Sequence, residues 1–145
     1  MAFTGTFDHN LDAKNRLTIP SKFRGDLSKG VFLSKEDDKC VSLYPSATYT
    51  DMAERAIAQV PNPLSQQGRE LRRLLYSNAL ETELDSAGRV MLTPKLLEDA
   101  GIGREVVITG VGDALELWDR ATWETYNSDL AARAPELTES LGHTA

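Results

Sequence analysis

Apolar and polar positions alternate in register with two kinds of period along this chain. The runs Val31–Ser34, Val41–Tyr44, Val106–Thr109 and Leu115–Trp118 are rich in β-branched, leucine and aromatic residues and read as strands. Acidic or glycine-containing stretches, residues 35–39 and 110–113, join them in pairs as hairpins. Arg16–Ile19 and Arg89–Leu92 are apolar on alternate positions and predict two shorter strands, each leaving a turn that Phe7–Leu11 or Leu80–Leu84 enters. Elsewhere the period changes to that of a helix. Tyr49, Met52, Ala53, Ala56, Ile57 and Val60 fall on one face, and Trp123, Tyr126 and Leu130 on another, with Asp119 a candidate N-cap. Pro61-Asn62-Pro63 breaks the chain, and a further helix is predicted from about Ser65 to Ser77, with Leu71, Leu74 and Leu75 on its apolar side. Thr93 as N-cap, Pro94 at the first helical position and Gly101 as the stop delimit one more. From Pro135 onward the sequence is polar and aperiodic and predicts a loose tail.

These elements occur twice. Leu11-Asp12-Ala13-Lys14-Asn15-Arg16-Leu17-Thr18-Ile19-Pro20 aligns with Leu84-Asp85-Ser86-Ala87-Gly88-Arg89-Val90-Met91-Leu92-Thr93-Pro94, at an offset of 73 with the proline displaced by one place. Further on, Cys40–Pro45 aligns with Ala114–Asp119 and Tyr49 with Trp123, at an offset of 74. The chain is therefore a tandem repeat. At 145 residues each copy has too little interior to be stable alone, so the two are expected to share one core. The expected organisation is a first module at residues 5–47, connecting helices at 48–75, a second module at 76–119, and a C-terminal helix with its tail at 120–145, in an α+β fold.

The chemistry centres on the repeated Asp-x-x-x-Arg unit. Asp12 and Asp85 suit turn capping, with the carboxylate accepting from amides two or more residues on. Asn15 and Gly88 stand at equivalent positions and are the residue types that most readily take positive φ. Arg16 and Arg89, each held by the preceding carboxylate, can present their remaining donors to a phosphate or to the O6/N7 edge of guanine. The alternative is a surface ion pair of little energetic consequence, but one spacing appearing twice favours a function. Tyr44, Tyr49, Trp118 and Trp123 fall on apolar positions and read as core.

Charge modifies this picture. The chain carries a formal net charge of −6, which argues against a nucleic-acid partner, yet residues 1–35 hold six Lys/Arg against three acids. Residues 73–145 hold six against thirteen. Lys14, Lys22 and Arg24 are thus candidate phosphate contacts of the first copy, which the second answers with Ala87 in place of Lys14 and Leu97 in place of Arg24. Several copies of this basic edge presented together would bind more firmly than one.

An enzyme is not expected. His9 and His143 are the two histidines, and no metal-ligand cluster, phosphate-cradling glycine loop or nucleophile elbow is present, so neither cofactor nor metal nor small-molecule substrate is predicted. Cys40 reads as a small core residue, and Glu36-Asp37-Asp38 as a solvated hairpin turn. With one cysteine, no apolar run near the roughly 18 residues of a membrane span and no signal-peptide pattern, a cytoplasmic location is expected.

The segment Phe7-Asp8-His9-Asn10-Leu11-Asp12-Ala13-Lys14-Asn15-Arg16-Leu17-Thr18-Ile19-Pro20-Ser21-Lys22-Phe23-Arg24, with a second Leu-Asp-x-x-Gly-Arg in the other half, resembles the MraZ family of bacterial regulators, over about residues 3–133. The resemblance implies two AbrB-type swapped-hairpin modules pairing within one chain as an intertwined β-barrel with flanking helices. It implies ring-like homo-oligomers in the nucleoid that bind short direct repeats of double-stranded DNA upstream of division and cell-wall genes, usually repressing their own operon. It places the DNA-contacting arginines on Arg16, beside Lys14, and on Arg89. Asn15 departs from the glycine usual before the first arginine. The competing reading is an oligomeric assembly module that binds protein, with DNA incidental, which the acidic body favours.

Overall fold

In the computed structural model, residues 2–142 are described. In chain order the elements are β1 (Thr6–Asn10), β2 (Arg16–Thr18), α1 (Ser21–Arg24), β3 (Val31–Lys35), β4 (Cys40–Pro45), α2 (Ser46–Ala58), α3 (Gln66–Ser77), β5 (Ala79–Thr82), β6 (Arg89–Met91), α4 (Pro94–Ala100), β7 (Glu105–Gly110), β8 (Leu115–Asp119) and α5 (Arg120–Gly142). The repeat is plain in this order: β5 to β8 restate β1 to β4, α4 restates α1, and α5 restates α2. The inserted α3 lies between the copies.

Six strands form one antiparallel sheet in the order β1-β7-β8-β4-β3-β5, and β2 pairs with β6 in a separate ribbon. Exchanging each strand for its counterpart in the other copy returns the same order reversed. The copies are interleaved: β1 of the first pairs with β7 of the second, and β5 of the second with β3 of the first. The two hairpins meet at the centre, where β4 pairs with β8. The sheet is open, ending at β1 and β5, so the closed barrel that the resemblance implies is not present as a continuous hydrogen-bonded sheet.

The core belongs to both copies. Leu17, Ile19, Leu33 and Leu43 pack in one cluster with Val90, Leu92, Val106, Ile108, Leu115 and Leu117, all at most 1% exposed. Neither copy could bury these faces alone, which is why the fold needs both. A smaller cluster of Tyr44, Tyr49, Ala53 and Ala114 lies under α2, where the Tyr49 hydroxyl donates to the Leu75 carbonyl of α3 at 2.6 Å. Trp118 is buried as expected, stacked on Tyr126 with ring centroids 4.9 Å apart, whereas Trp123 is only half-buried.

The helix ends follow local chemistry. The Thr93 hydroxyl accepts from Leu96 N–H at 3.2 Å and Gly101 ends α4 at φ 67°. In the first copy Pro20 occupies the cap position and offers no side-chain acceptor, and α1 runs for four residues only. α3 lies where a helix was expected, and Ser65 caps it, accepting from Gly68 N–H at 3.2 Å. Two expectations fail. Asp119 turns its carboxylate to Gly103 N–H at 2.9 Å, away from the amides of α5. The segment from Pro135 to Gly142 continues α5 and is not loose; the remainder of the expected tail, with His143, lies outside the described residues. Proline removes one N–H from the helix, but Ala, Leu and Glu on either side are strong helix formers. The Arg133–Asp129 pair at 2.8 Å and the Thr138 hydroxyl, which donates to the Ala134 carbonyl at 3.1 Å, hold the turns that flank it.

Candidate functional site

The two Asp-x-x-x-Arg turns have the same hydrogen bonds, atom for atom. In the first, Asp12 Oδ1 accepts from Lys14 N–H and Arg16 N–H, both at 2.9 Å, and Oδ2 accepts from Arg16 Nε at 2.6 Å. In the second, Asp85 Oδ1 accepts from Ala87 N–H and Arg89 N–H, and Oδ2 from Arg89 Nε, all at 2.9 Å. One carboxylate thus closes the turn and also clamps the arginine by its Nε. The Nη groups remain to point onward. The backbone amides of the turns, with Arg16 first among them, hold the Asp12 carboxyl down at about 2, and the corresponding bonds from Arg89 lower that of Asp85. Both clamps are therefore charged throughout the neutral range.

The turns do not sit on separate halves. β2 and β6 pair antiparallel with Arg16 opposite Met91, Leu17 opposite Val90 and Thr18 opposite Arg89. Leu17 and Val90 point inward and are fully buried. The other four positions form the outer face, and on it Arg16 and Arg89 are diagonal neighbours, about 7–8 Å apart by strand geometry. The ribbon extends by one bond at each end, Leu92 N–H to the Asn15 carbonyl at 2.9 Å and Ile19 N–H to the Gly88 carbonyl at 3.0 Å.

Each turn is also braced by an arginine of the other copy. Arg24 of the first copy donates from Nε to the Ile19 carbonyl at 2.9 Å and lies over Gly88 of the second. Arg104 of the second copy donates from Nη1 to the Asp12 carbonyl at 2.8 Å. Sequence comparison within a single copy could not find this exchange, and Arg104 carried no signal at all. It changes the charge reading: the second turn, without a counterpart of Lys14, acquires a cation from the first copy. Lys14 is exposed on its turn. Lys22 lies elsewhere, its Nζ 4.7 Å from the centre of the Phe7 ring and 5.0 Å from that of Phe23, a cation–π site.

The two left-handed positions, Asn15 at φ 58° and Gly88 at φ 75°, have different surroundings. A Cβ at Gly88 would stand 2.3 Å from Arg24 Nε and 2.6 Å from its Cδ, so glycine is needed there for space as well as for φ. Asn15 instead borders a pocket that it lines with Leu11, Leu97, Ile102, Gly103 and Arg104. Gly88→Ala is expected to destabilise the protein by about 1–3 kcal/mol, through left-handed strain and displacement of Arg24 from Ile19. Asn15→Gly should stay within about 1 kcal/mol of the parent. Denaturant unfolding of the two variants checks the difference.

Elsewhere, Cys40 is buried and desolvation, helped by Glu116 and Asp38, pushes its thiol up to about 12. Glu36, Asp37 and Asp38 are exposed on the hairpin, with Glu36 accepting from the Tyr44 hydroxyl at 3.1 Å. Among the described residues no group of three or more His, Cys, Asp or Glu is placed to hold a metal ion, and no helix is long and apolar enough to cross a membrane.

Comparison with known proteins adds to this geometry. Residues 2–67 and 75–140 both match the family model described as "MraZ protein, putative antitoxin-like". Proteins named Transcriptional regulator MraZ are similar over the full length. That of Mycoplasmoides gallisepticum is 38% identical over 139 residues, 96% of each chain. That of Nocardioides sp. is 36% identical over 146 residues, 100% of this chain and 99% of the other. That of Herpetosiphon aurantiacus is 37% identical over 140 residues, 96% of each.

Proposed function

The chain belongs to the MraZ family, and on that premise we propose that it is a transcriptional regulator whose β2–β6 ribbon binds double-stranded DNA in a sequence-specific manner. One observation carries the reading: two arginines, each clamped by a carboxylate at Nε, share the single exposed face of a two-stranded ribbon. The major groove, about 12 Å wide, admits such a ribbon, and an arginine with free Nη groups suits guanine O6/N7. Arg16 and Arg89 read bases, while Lys14, Arg24 and Arg104 meet phosphates beside the two turns. Lys22, held over two rings, adds positive charge from α1. Asp12, Asn15, Asp85 and Gly88 shape the turns and do not touch DNA.

A single ribbon gives few contacts, and the rest of the chain is acidic. The protein therefore acts as a ring-like homo-oligomer, with paired swapped-hairpin modules at residues 5–47 and 76–119 and ribbons repeated around it. Short direct repeats engage several ribbons at once, and effective concentration multiplies their weak affinities. Repression of its own division and cell-wall operon, from a place in the nucleoid, follows from such binding upstream of that operon.

Binding to a promoter fragment with direct repeats, measured against salt, tests this. Specific affinity should exceed that for a scrambled duplex, and Lys14→Ala should reduce the log–log salt slope by about one while leaving the specificity ratio in place. Equal affinity for both duplexes would sink the reading. The acidic α5, with Glu124, Asp129, Glu136 and Glu139 against Arg120 and Arg133, favours an assembly module as second reading. Native mass decides: a species unaltered by specific DNA that captures a defined protein partner is its signature.

A further inference from the structure

The outer face of the ribbon carries one apolar side chain. Met91 is 54% exposed, directly across from Arg16, while the corresponding position of the other strand is Thr18, across from Arg89. A lone exposed methionine needs no explanation in itself; its position here does. The bonds Leu92 N–H to Asn15 and Ile19 N–H to Gly88 flank the ribbon. They put Arg16–Met91 and Thr18–Arg89 in non-hydrogen-bonded pairs, where opposing side chains stand closest. Met91 is thus held beside one clamped arginine and, along its own strand, two residues from the other.

We propose that Met91 is a specificity-determining residue that reads thymine, its side chain packing on the C5-methyl group of a base pair next to the one that Arg16 addresses. This rests on the DNA-binding reading above and extends it. Cross-strand partners stand about 4.5–5.5 Å apart at Cβ, more than one base step of roughly 3.4 Å and less than two, so the two side chains reach neighbouring pairs and not the same one. The thymine methyl is the apolar feature of the major-groove edge and accepts apolar contacts. Methionine, unbranched and polarisable, adapts to it. The inference also gives the ribbon a direction. The symmetry that relates the copies maps Met91 onto the smaller, polar Thr18, so the two ends of one face differ and a site is read in one orientation.

The test uses the full-length protein and a duplex that it selects from a random-sequence pool. Each thymine of that duplex is replaced in turn by deoxyuridine, which removes the methyl and nothing else. At one thymine adjacent to an essential guanine, the replacement should weaken binding roughly fourfold, the value of one buried carbon group. Met91→Ala should bind the parent duplex roughly fourfold more weakly and lose its sensitivity at that position. Met91→Leu should keep it. Because Met91 is exposed, both variants should unfold at the parent's denaturant midpoint. If Met91→Ala still discriminates thymine from deoxyuridine, or if the parent protein discriminates at no thymine, the assignment is overturned while DNA reading stands. If selection yields no preferred sequence, both fall together.

Discussion

Arg16→Ala and Arg89→Ala are each expected to lower specific DNA affinity by about 1–3 kcal/mol, or roughly 5- to 150-fold, and the double variant is expected to fall to the non-specific level. The turns are matched bond for bond, so the expectation is similar losses for the two arginines. The first copy holds the greater local basicity in sequence, which alone would assign it most of the contact. The ribbon argues otherwise, because it sets both arginines on one face and because Arg24 carries first-copy charge to the second turn. As diagonal neighbours they are close enough to couple, so the double variant need not equal the sum. Neither substitution touches the core. Unfolding midpoints should therefore stay near the parent's while affinity in a titration with the selected duplex drops. A loss confined to Arg16, with Arg89→Ala binding normally, would contradict the shared face.

The largest effect on stability is expected from Leu17→Ala. Leu17 is fully buried, sits at the middle of β2 opposite Val90, and belongs to the cluster that unites both copies. Removing its side chain should cost about 2–5 kcal/mol from lost transfer energy and the cavity left behind. That is a large part of the roughly 5–15 kcal/mol that holds a typical domain folded, and it corresponds to a fall in Tm on the order of 10 °C. Thr18→Ala, one residue along on the outer face, should change stability by less than about 0.5 kcal/mol. Denaturant unfolding of the pair distinguishes them; equal midpoints would mean that the ribbon is not packed as described.

What was legible in the sequence was local. The Asp-x-x-x-Arg turn is written in bonds spanning four residues, so Asp12, Asn15, Asp85 and Gly88 could be placed without a structure. The Thr93-Pro94 start and Gly101 stop of α4, and the Ser65 start of α3, were legible for the same reason. What was not legible depends on pairing across the chain. Nothing near Arg16 indicates that β2 will lie beside β6, some 73 residues away, rather than in a hairpin of its own copy. That one pairing turns two separate turns into a shared face, exposes Met91 and Thr18 on it, and brings Arg24 and Arg104 across to the opposite copy's turns. The place of Lys22 over two rings was legible only in part, because Phe23 adjoins it in sequence but Phe7 comes from β1. The tail shows the converse: from Pro135 the sequence is polar and aperiodic and reads as loose, while the helix formers around Pro135 and the Asp129–Arg133 pair extend α5 to Gly142. In place of the closed barrel that the resemblance implies, the strands form an open sheet with the copies interleaved and a separate ribbon.

The central claim is that one ribbon, built from both copies, is the surface that meets DNA. Hydrogen exchange followed by mass spectrometry, with and without the selected duplex, tests it most directly. Peptides covering residues 12–18 and 85–91 should slow together on binding, by more than any other region and by similar amounts. Protection that falls elsewhere, with both turns exchanging as in the free protein, would contradict the account.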